Sequence, residues 1–454
     1  MKKIILIGDI ILDINHHCIT NRFAPENNNI PIYNIINTEY ILGGVANNAN
    51  NLNNLHNCEI ELLSVIGNDF YYTKIIELLN NNNIKYKFFL ENNRITTQKY
   101  RLFSNNNMFS RHDIETTEEI NEENQNNIFN YIKSIKNIDA IIISDYNKGT
   151  ITYDLCQKII NYSNNNNILT FIDPKINNIF KYKNSFLIKP NLYEAKEMTN
   201  KIEINDIIDK IYSDLNINNI IITADKDGCY VYNNSKLTHI NKKYNFKLLD
   251  VTGAGDIFLS IFVYSYLMNN DMILSAKIAN YIANKSITCI GNYLTSDDDL
   301  LLYNDIIYDY EIDKIKLIKK NYNNICFTNG CFDVIHAGHI KLLQFAKTKG
   351  DILIVAINSD ESIKIIKGKK RPINNINLRI ELLKSLNIID YIIIFNTSDP
   401  LNIIKILNPL YLIKGPDYNN TNVIGSEYAN NTIIYNSDID ISSSKIINKI
   451  NHLS

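Results

Sequence analysis

Short apolar runs alternate with longer amphipathic stretches along most of the chain. A first series of such runs lies at residues 4–7, 59–66, 140–144, 168–172, 186–188 and 220–223, and a second at 325–328, 352–357, 391–395 and 411–413. This alternation predicts mainly parallel sheets covered by helices. Residues 30–41 and 98–109 alternate apolar with polar side chains instead, which predicts antiparallel strands forming a small lid over a ligand site.

The two series of apolar runs indicate two domains. An acidic stretch at 296–299 and a polar helix through Lys320 separate them. We therefore predict domains at residues 1–315 and 325–454, joined by a linker at 316–324. A chain of 454 residues with 45% hydrophobic content is long enough for two or three cores of ordinary size.

Charge and cysteine content narrow the class of protein. A formal net charge of −2 provides no basic surface, so neither nucleic acid nor a membrane is expected as a partner. The seven cysteines include no C-x-x-C pair, which argues against a zinc site or a disulfide framework and favours the cytoplasm. The first apolar run is interrupted at Gly8 and Asp9, so it predicts a β-strand rather than a signal peptide.

The motif His336-Ala337-Gly338-His339 indicates the chemistry of the second series. It follows an apolar run and a glycine-containing turn, and it places two imidazoles on the first turn of a predicted helix. Free amides and the helix dipole at such a position favour phosphate. The motif therefore predicts a nucleoside triphosphate site, the alternative being two ordinary surface histidines.

A second motif, Gly253-Ala254-Gly255-Asp256, precedes an apolar helix in the first series. Its small residues allow the backbone to approach an anion closely, and no Lys-Ser/Thr pair follows, so it is not a Walker A loop. We expect the amides to hold the γ-phosphate of ATP and Asp256 to take a proton from an attacking hydroxyl. An aspartate that merely caps the helix is the alternative.

Polar clusters follow several predicted strands of the first series. They lie at residues 8–13, 43–47, 145–149, 173–175 and 189–194. Ligands of open α/β sheets bind at the carboxyl ends of strands, and sugars require paired donors and acceptors. These clusters therefore predict a pocket for a hydroxyl-rich ligand.

In this order the motifs resemble two known families. Residues 1 to about 315, from Gly8-Asp9 to Asp256, resemble a ribokinase-type (PfkB) sugar kinase. Residues 325–454, from His336 to the segment 441–444, resemble a cytidylyltransferase-like nucleotidyltransferase. Together they are similar to the bifunctional heptose kinase/adenylyltransferases of Gram-negative bacteria. The resemblance implies an α/β fold: a ribokinase-like three-layer α/β/α domain with a small β lid, then a Rossmann-like nucleotidyltransferase domain.

The resemblance also implies two reactions. The first is ATP- and Mg²⁺-dependent phosphorylation of D-glycero-β-D-manno-heptose 7-phosphate at C1. The second is adenylyl transfer from ATP to heptose 1-phosphate, giving ADP-heptose and pyrophosphate for the lipopolysaccharide core. A homodimer is expected. A kinase and nucleotidyltransferase for another sugar or polyol phosphate is the first alternative, and a non-catalytic nucleotide-binding regulator is the second.

For the kinase, the resemblance implies Asp256 as the base and residues 253–255 as the anion hole. Further ATP-binding positions are Asn191, Leu192, Tyr193, Glu194, Thr223, Lys226, Gly228, Gly253, Ala254 and Gly255, with Mg²⁺ held through Glu194 and the phosphates. The implied sugar-binding positions are Asp13, Gly43, Gly44, Asn47, Lys148 and Lys175. Solvated side chains are the alternative for both of these lysines, and an ordinary β-turn is the alternative for Gly228.

For the transferase, the resemblance implies that His336 and His339 bind the α- and β-phosphates. The other implied nucleotide-binding positions are Asn329, Gly330, Phe332, Asp333, Lys347, Lys349, Asn358, Asp360, Arg371, Ser442, Ser443 and Ser444. A structural ion pair is the alternative for Arg379. The chain departs from the family at Pro416, where glycine is usual, and at Ser443 or Ser444, where threonine is common.

Overall fold

The computed structural model describes residues 1–436 and residue 446, except 105–106, 242–248, 290, 292 and 419–422. The chain divides into two compact units, Met1–Asp299 and Leu300–Ser454. Among the described residues, none of the helices combines the length and apolar character that crossing a membrane requires.

The first unit contains the elements of a sheet, its covering helices and a lid. Its strands are β1 (Lys2–Gly8), β2 (Ile10–Ala24), β3 (Asn27–Gly44), β4 (Cys58–Gly67), β5 (Tyr86–Glu91), β6 (Thr97–Ser104), β7 (Asn107–Ile114), β8 (Ala140–Ser144), β9 (Leu169–Asp173), β10 (Leu187–Ile188), β11 (Asn219–Thr223), β12 (Cys229–Asn233) and β13 (Lys236–Ile240). Its helices are α1 (Val45–Asn53), α2 (Phe70–Asn81), α3 (Glu122–Ser134), α4 (Tyr153–Asn165), α5 (Leu192–Thr199), α6 (Ile204–Leu215), α7 (Ala254–Asn269) and α8 (Met272–Ser286).

Nine strands form the main sheet in the order β13-β12-β11-β10-β9-β8-β1-β4-β5. Strand β12 runs antiparallel to both of its neighbours, β11 and β13, and the other neighbouring strands are parallel. The apolar run from Ile4 to Ile7 is buried on both faces of the sheet, as expected of a central parallel strand. Helices α3, α4 and α6 share a core with one face, whereas α1 packs against α7 and α7 against α8. The predicted three-layer α/β/α fold is confirmed.

The lid is a separate four-stranded sheet in the order β3-β2-β6-β7. Strands β2 and β3 are antiparallel, β2 and β6 are parallel, and β6 and β7 are antiparallel. The predicted β lid is therefore present, and the stretch 98–109 contributes to two of its strands, β6 and β7. The same chain segments lead into the main sheet, because β2 follows β1 directly and β3 ends at the start of α1.

The second unit is a parallel sheet with helices. After α9 (Asp297–Leu302), which spans the division between the units, come β14 (Ile306–Tyr308), α10 (Ile312–Asn321), β15 (Ile325–Gly330), α11 (Ala337–Lys347), β16 (Ile352–Asn358), α12 (Asp360–Lys367), α13 (Ile376–Ser385), β17 (Tyr391–Phe395), α14 (Leu401–Leu407), β18 (Tyr411–Lys414) and β19 (Asn431–Ile434). The strand order is β14-β17-β16-β15-β18-β19. Chain order reverses between β15 and β18, so the carboxyl ends of these strands form the crevice in which such folds bind ligands.

Residues 316–321, predicted as part of a linker, belong to α10. Ile315 and Ile318 of this helix are fully buried in the core of the second unit, and β14 pairs with β17. Four lysines, at 314, 316, 319 and 320, interrupt the apolar positions of α10, and this pattern is typical of a solvent-exposed segment. The second unit thus begins before the predicted boundary.

Candidate active sites

Asp256 lies in the first turn of α7, after Gly253 in the left-handed conformation with φ of 74°. Its carboxylate is buried and accepts hydrogen bonds from the Tyr146 hydroxyl at 2.5 Å and the Asn47 amide at 2.8 Å. These partners come from the β8–α4 loop and from α1 rather than from the helix that begins here. The geometry differs from that of a helix cap and places the carboxylate in a tertiary site.

Burial and, to a smaller extent, the nearby charge of Asp173 together raise the pKa of Asp256 to about 6, against the lowering effect of the two hydrogen bonds and of Lys189. Burial also raises the pKa of Asp173, whose carboxylate pairs with the Lys189 ammonium at 2.9 Å. A carboxylate that titrates near neutral pH is suited to accept a proton and release it again.

Asp9 fixes the loop that carries Tyr146. Its buried carboxylate accepts the backbone N–H groups of Tyr146 at 2.8 Å, Lys148 at 3.0 Å and Thr150 at 3.0 Å. Three amides on one carboxylate leave this loop little freedom. Asp9 therefore positions the hydroxyl that touches Asp256, although it does not contact Asp256 itself.

The lid brings charged side chains to the same region. Asp13 on β2 pairs with Arg101 on β6 at 2.8 Å. A Cβ on Gly43 would lie 2.8 Å from the Asp13 carboxylate, so only glycine leaves room for that carboxylate. The Lys99 ammonium lies 5.7 Å from the centre of the Tyr146 ring, and the Lys175 ammonium lies 5.6 Å from it.

The predicted sugar residues thus meet around Tyr146, with one exception. Asn47 bonds to Asp256, and Lys175 lies over the Tyr146 ring. Burial and the charges of Asp256 and Asp173 raise the pKa of Tyr146, and the charge of Asp13 is near enough to raise it further. Gly43 lies beside Asp13, and Gly44 ends β3 at the start of α1 with φ of 60°. The Lys148 ammonium is instead paired with Glu115 at 2.7 Å.

The predicted ATP-binding residues cluster at the start of α5. Asn191 and Glu194 form a capping box, with bonds of 2.8 and 3.0 Å between each side chain and the other's backbone N–H. The Glu194 carboxylate also accepts a hydrogen bond from the Lys175 ammonium at 2.6 Å. Thr223, at the end of β11, bridges to Asn191. These two segments form one edge beside the cluster of Tyr146 and Asp256.

Four other residues of the predicted ATP-binding set are either exposed or serve the local structure of their own segment. Leu192 packs on the core, and the Tyr193 side chain is 67% exposed. Lys226 lies in the exposed 3-10 turn Asp225–Asp227. Gly228 has φ of 82°, and a Cβ there would lie 2.1 Å from the Ile240 carbonyl oxygen, so the turn requires glycine. A tight turn accounts for Gly228 without a ligand.

In the second unit, His336 occupies the N-cap position of α11 without a capping side-chain hydrogen bond, and His339 lies in the first turn of the helix. Their rings stack with centroids 3.8 Å apart, and Phe332 contacts His339 at 5.1 Å. Burial, together with the charges of His336 and Lys367, lowers the pKa of His339 to about 4. At neutral pH His339 is therefore a neutral imidazole at a helix N-terminus, which suits hydrogen bonding to phosphate.

Buried carboxylates hold the segments around the two histidines. Asp333 accepts the Arg371 guanidinium at 2.5 Å and the backbone N–H groups of Ile373 and Asn374 at 2.8 and 2.9 Å. Arg371 and Asp333 were both predicted to bind nucleotide, and their side chains are thus paired with each other.

Arg379 is fully buried in the same unit. It donates to the carbonyl oxygens of Cys331 and Asn358 at 2.8 Å each, and to Asp360 at 2.7 Å. This is the geometry of a structural ion pair. Asn358 and Asp360 also bond to Ser362 and to the Ile376 N–H, so their side chains support the strand ends.

Comparison with known proteins identifies the families of the two domains. Residues 1–299 match the pfkB family of carbohydrate kinases, and residues 327–449 match the cytidylyltransferase-like family. The chain is 34% identical to the bifunctional protein HldE of Aliarcobacter butzleri over 94% of this chain and 93% of that one. It is also 34% identical to the HldE protein of Helicobacter pylori, over 99% of each chain.

The chain belongs to the HldE family of bifunctional proteins. The resemblance inferred from the motifs is confirmed, and the protein is an enzyme with a sugar kinase domain and a nucleotidyltransferase domain. Solved structures agree on the fold of the first unit. Phosphofructokinase-2 from Escherichia coli covers 66% of this chain with a TM-score of 0.55 at 16% identity, and ribokinase from Thermotoga maritima covers 67% with 0.54 at 16%.

Within this family assignment, two predicted residues do not meet the histidines. Lys347 ends α11, whereas His336 begins it, so about 15 Å of helix separates them. Its ammonium pairs with Asp390 at 2.6 Å, and the Lys349 ammonium lies over the Phe345 ring at 4.8 Å. The structure therefore removes the geometric basis for triphosphate contacts by Lys347 and Lys349. Ser442, Ser443 and Ser444 lie outside the described residues.

Several residues of the two sites carried no assigned role in the sequence prediction. They are Asp9, Tyr146, Asp173, Lys189 and Arg101 in the first unit, and Lys414 in the second. Asp9, Tyr146, Asp173 and Lys189 lie within the polar clusters of the first series, whereas Lys414 ends β18 outside those clusters. The clusters were the available signal, but the pairing of their members depends on contacts between distant segments.

Proposed function

We propose that the first unit transfers the γ-phosphate of ATP to the anomeric hydroxyl of D-glycero-β-D-manno-heptose 7-phosphate. The observation that carries this proposal is the buried Asp256 carboxylate, held by Tyr146 and Asn47 beside the glycine turn 253–255. Membership of the HldE family supports heptose as the sugar.

The proposed chemistry follows from this geometry. Asp256 takes the proton of the C1 hydroxyl while the hydroxyl oxygen forms a bond to the γ-phosphorus. The bond between that phosphorus and the bridging oxygen breaks, and ADP leaves with the electron pair. Backbone N–H groups of residues 253–255 are placed to stabilise the charge on the transferred phosphoryl group. Asp13, with Arg101, is placed to orient the sugar.

The kinase residues also fit Mg²⁺ that arrives on ATP. Asp173 and Glu194 are paired with Lys189 and Lys175, and the described residues contain no group of three or more His, Cys, Asp or Glu suited to a metal ion. Mg²⁺ usually keeps several waters and is held by substrate phosphates with one or two carboxylates, so Glu194 would reach it through water. When bound, the ion neutralises charge on the β- and γ-phosphates.

We propose that the second unit joins heptose 1-phosphate to AMP. An oxygen of the sugar phosphate attacks the α-phosphorus of ATP, and pyrophosphate leaves, giving ADP-heptose. The attacking oxygen is already anionic, so no base is required, and catalysis consists of positioning and charge neutralisation. His336, His339 and the N-terminus of α11 are placed to bind the triphosphate. A separate phosphatase must remove the 7-phosphate between the two reactions.

Two incubations test the two reactions, and the first concerns the kinase. The protein is mixed with ATP, Mg²⁺ and heptose 7-phosphate, and the products are followed by phosphorus NMR, with ribose and fructose phosphates in parallel. We expect a new anomeric phosphate signal only with the heptose. Heptose 1-phosphate with ATP should then give ADP-heptose, and CTP in place of ATP should give little product. Equal rates with all sugars would contradict heptose as the substrate.

We also propose a homodimer, formed through the lid, in the cytoplasm. Four apolar side chains of β2 and β3, Ile19, Phe23, Ile35 and Ile36, are between 46% and 63% exposed. Apolar patches of this kind mark contact surfaces. Sedimentation equilibrium should give twice the chain mass, and Ile36→Lys should lower it towards the mass of one chain.

All seven cysteines are free thiols, which suits a reducing compartment such as the cytoplasm.

A further inference from the structure

Lys414 ends strand β18 in the second unit, beside the strand that leads to the histidine motif. Its side chain is 3% exposed, and its ammonium donates to the Asn329 side-chain oxygen on β15. The ammonium also lies 4.7 Å from the centre of the Tyr418 ring. Burial lowers the pKa of Lys414 to about 8.

The partners of Lys414 differ from those of other buried lysines. Three lysines of the described residues are buried: Lys181, Lys189 and Lys414. Lys181 pairs with Asp145, and Lys189 pairs with Asp173. For Lys414 the described residues supply an amide oxygen and an aromatic ring, but no carboxylate within ion-pair distance. A buried ammonium without a counter-ion costs stability, so a ligand anion is the natural partner.

The position of Lys414 indicates which ligand this is. Strands β15 and β18 flank the point where chain order reverses, and ligands bind at such a crevice. Gly415, the next residue, lies close enough to α11 that a Cβ would be 3.8 Å from Leu342. Lys414 therefore lies in the same crevice as α11. Its strand, β18, pairs with the side of β15 opposite to β16.

We propose that Lys414 binds the phosphate of the sugar 1-phosphate acceptor. This inference rests on the proposed adenylyl transfer. The helix N-terminus and the two imidazoles provide donors for the triphosphate, and the reaction must then bring a second phosphate against the first. A cation between two phosphates reduces their repulsion, most strongly where water is excluded.

The test compares Lys414→Met with Lys405→Met in the full-length protein. Lys405 is an exposed lysine of α14 that also lies over a tyrosine ring, that of Tyr428 at 5.7 Å, so it matches the substitution without the buried site. We expect Lys414→Met to raise the KM for heptose 1-phosphate by about ten- to a hundredfold, the loss typical of one charged hydrogen bond, with the KM for ATP nearly unchanged. Lys405→Met should change neither, and Lys414→Arg should restore part of the affinity.

Thermal unfolding without ligand separates a binding role from a structural one. Removing an ammonium that lacks a counter-ion should leave the Tm of Lys414→Met at or above that of wild type. A lower Tm with an unchanged KM for the sugar phosphate would overturn the proposal, as would a rise confined to the KM for ATP.

Failure of the proposed function gives a different result. In that case wild type itself makes no ADP-heptose, and titration of inorganic phosphate replaces the kinetic measurement. Tighter phosphate binding by wild type than by Lys414→Met then supports an anion site at Lys414, and equal binding overturns it.

Discussion

The two active sites treat buried charge in opposite ways. In the kinase unit, a carboxylate is buried at Asp256, and burial raises its pKa to about 6. In the transferase unit, the Lys414 ammonium is buried and the His339 imidazole is partly buried, and burial is the main cause that lowers their pKa values to about 8 and about 4. The first site is thus organised to accept a proton, and the second to neutralise or hydrogen-bond anions.

This difference follows from the two nucleophiles. A sugar hydroxyl is neutral and must lose a proton as it attacks, so the kinase needs a base. A sugar phosphate already carries negative charge, so a carboxylate beside it would repel it. The carboxylates near the histidines are consistent with this, because Asp333 and Asp360 are engaged by Arg371 and Arg379.

The largest expected effect concerns the independence of the two units. A fragment of residues 300–454 should fold and transfer adenylate, whereas residues 325–454 should not fold stably. The shorter fragment lacks β14 and α10 and exposes the core that Ile307, Ile315 and Ile318 bury. Losing one buried isoleucine costs about 2–5 kcal/mol, comparable to much of a domain's stability. Circular dichroism during heating and the transfer assay compare the two fragments.

Asp256→Asn should lower the kinase kcat by about 10² to 10⁴, the typical contribution of a general base. ATP binding should change little, because the amides of residues 253–255 are retained. Adenylyl transfer by the same preparation should be unaffected and serves as the internal control. Asp154→Asn, an exposed acid of α4, is the matched substitution, and near-normal kinase turnover in Asp256→Asn would remove the base from the mechanism.

His339→Ala should slow adenylyl transfer by about 10² or more, because it removes a donor preorganised for phosphate. The kinase rate should remain that of wild type. If both activities fell together in a folded protein, a single shared nucleotide site would replace the two sites described above. Steady-state assays of each reaction on one preparation make the comparison.

A smaller effect is expected in stability against pH. The pKa of Lys414 is about 8 in the folded protein, below the value of about 10.4 for an exposed lysine. Between these values the unfolded chain binds more protons, so stability rises with pH, and the cost of the buried charge is largest below pH 8. In urea unfolding, the free energy of unfolding of wild type should therefore lie below that of Lys414→Met at pH 7, and this difference should become smaller by pH 9. A constant difference would contradict a titrating Lys414.

The sequence predicted the parts of both sites that lie within single motifs. Asp256 follows from a glycine turn and a helix start, and His336 and His339 follow from a strand, a turn and a helix start, in each case within a few residues. Helix geometry could also have excluded Lys347, because ten residues of helix separate it from the start of α11. The motif resemblance alone favoured it.

The remaining contacts could not be predicted from local pattern. Tyr146 meets Asp256 across 110 residues of sequence, and Asn329 meets Lys414 across 85. Each pair depends on the order of strands in its sheet, which the periodicity does not specify. The fold class followed from the alternation of strands and helices, whereas the segment 306–321 was misjudged because its buried isoleucines are surrounded by polar residues.

The pH dependence of the two activities tests the contrast between the sites most directly. Both are measured as kcat on one preparation between pH 5 and pH 8. Because the base must be deprotonated, kinase kcat should fall about tenfold per unit below an inflection near pH 6, where Asp256 titrates. Adenylyl transfer should lack that inflection in wild type and be unchanged by Asp256→Asn. An identical acid limb in both activities, or its absence from the kinase, would contradict a buried carboxylate base unique to the first site.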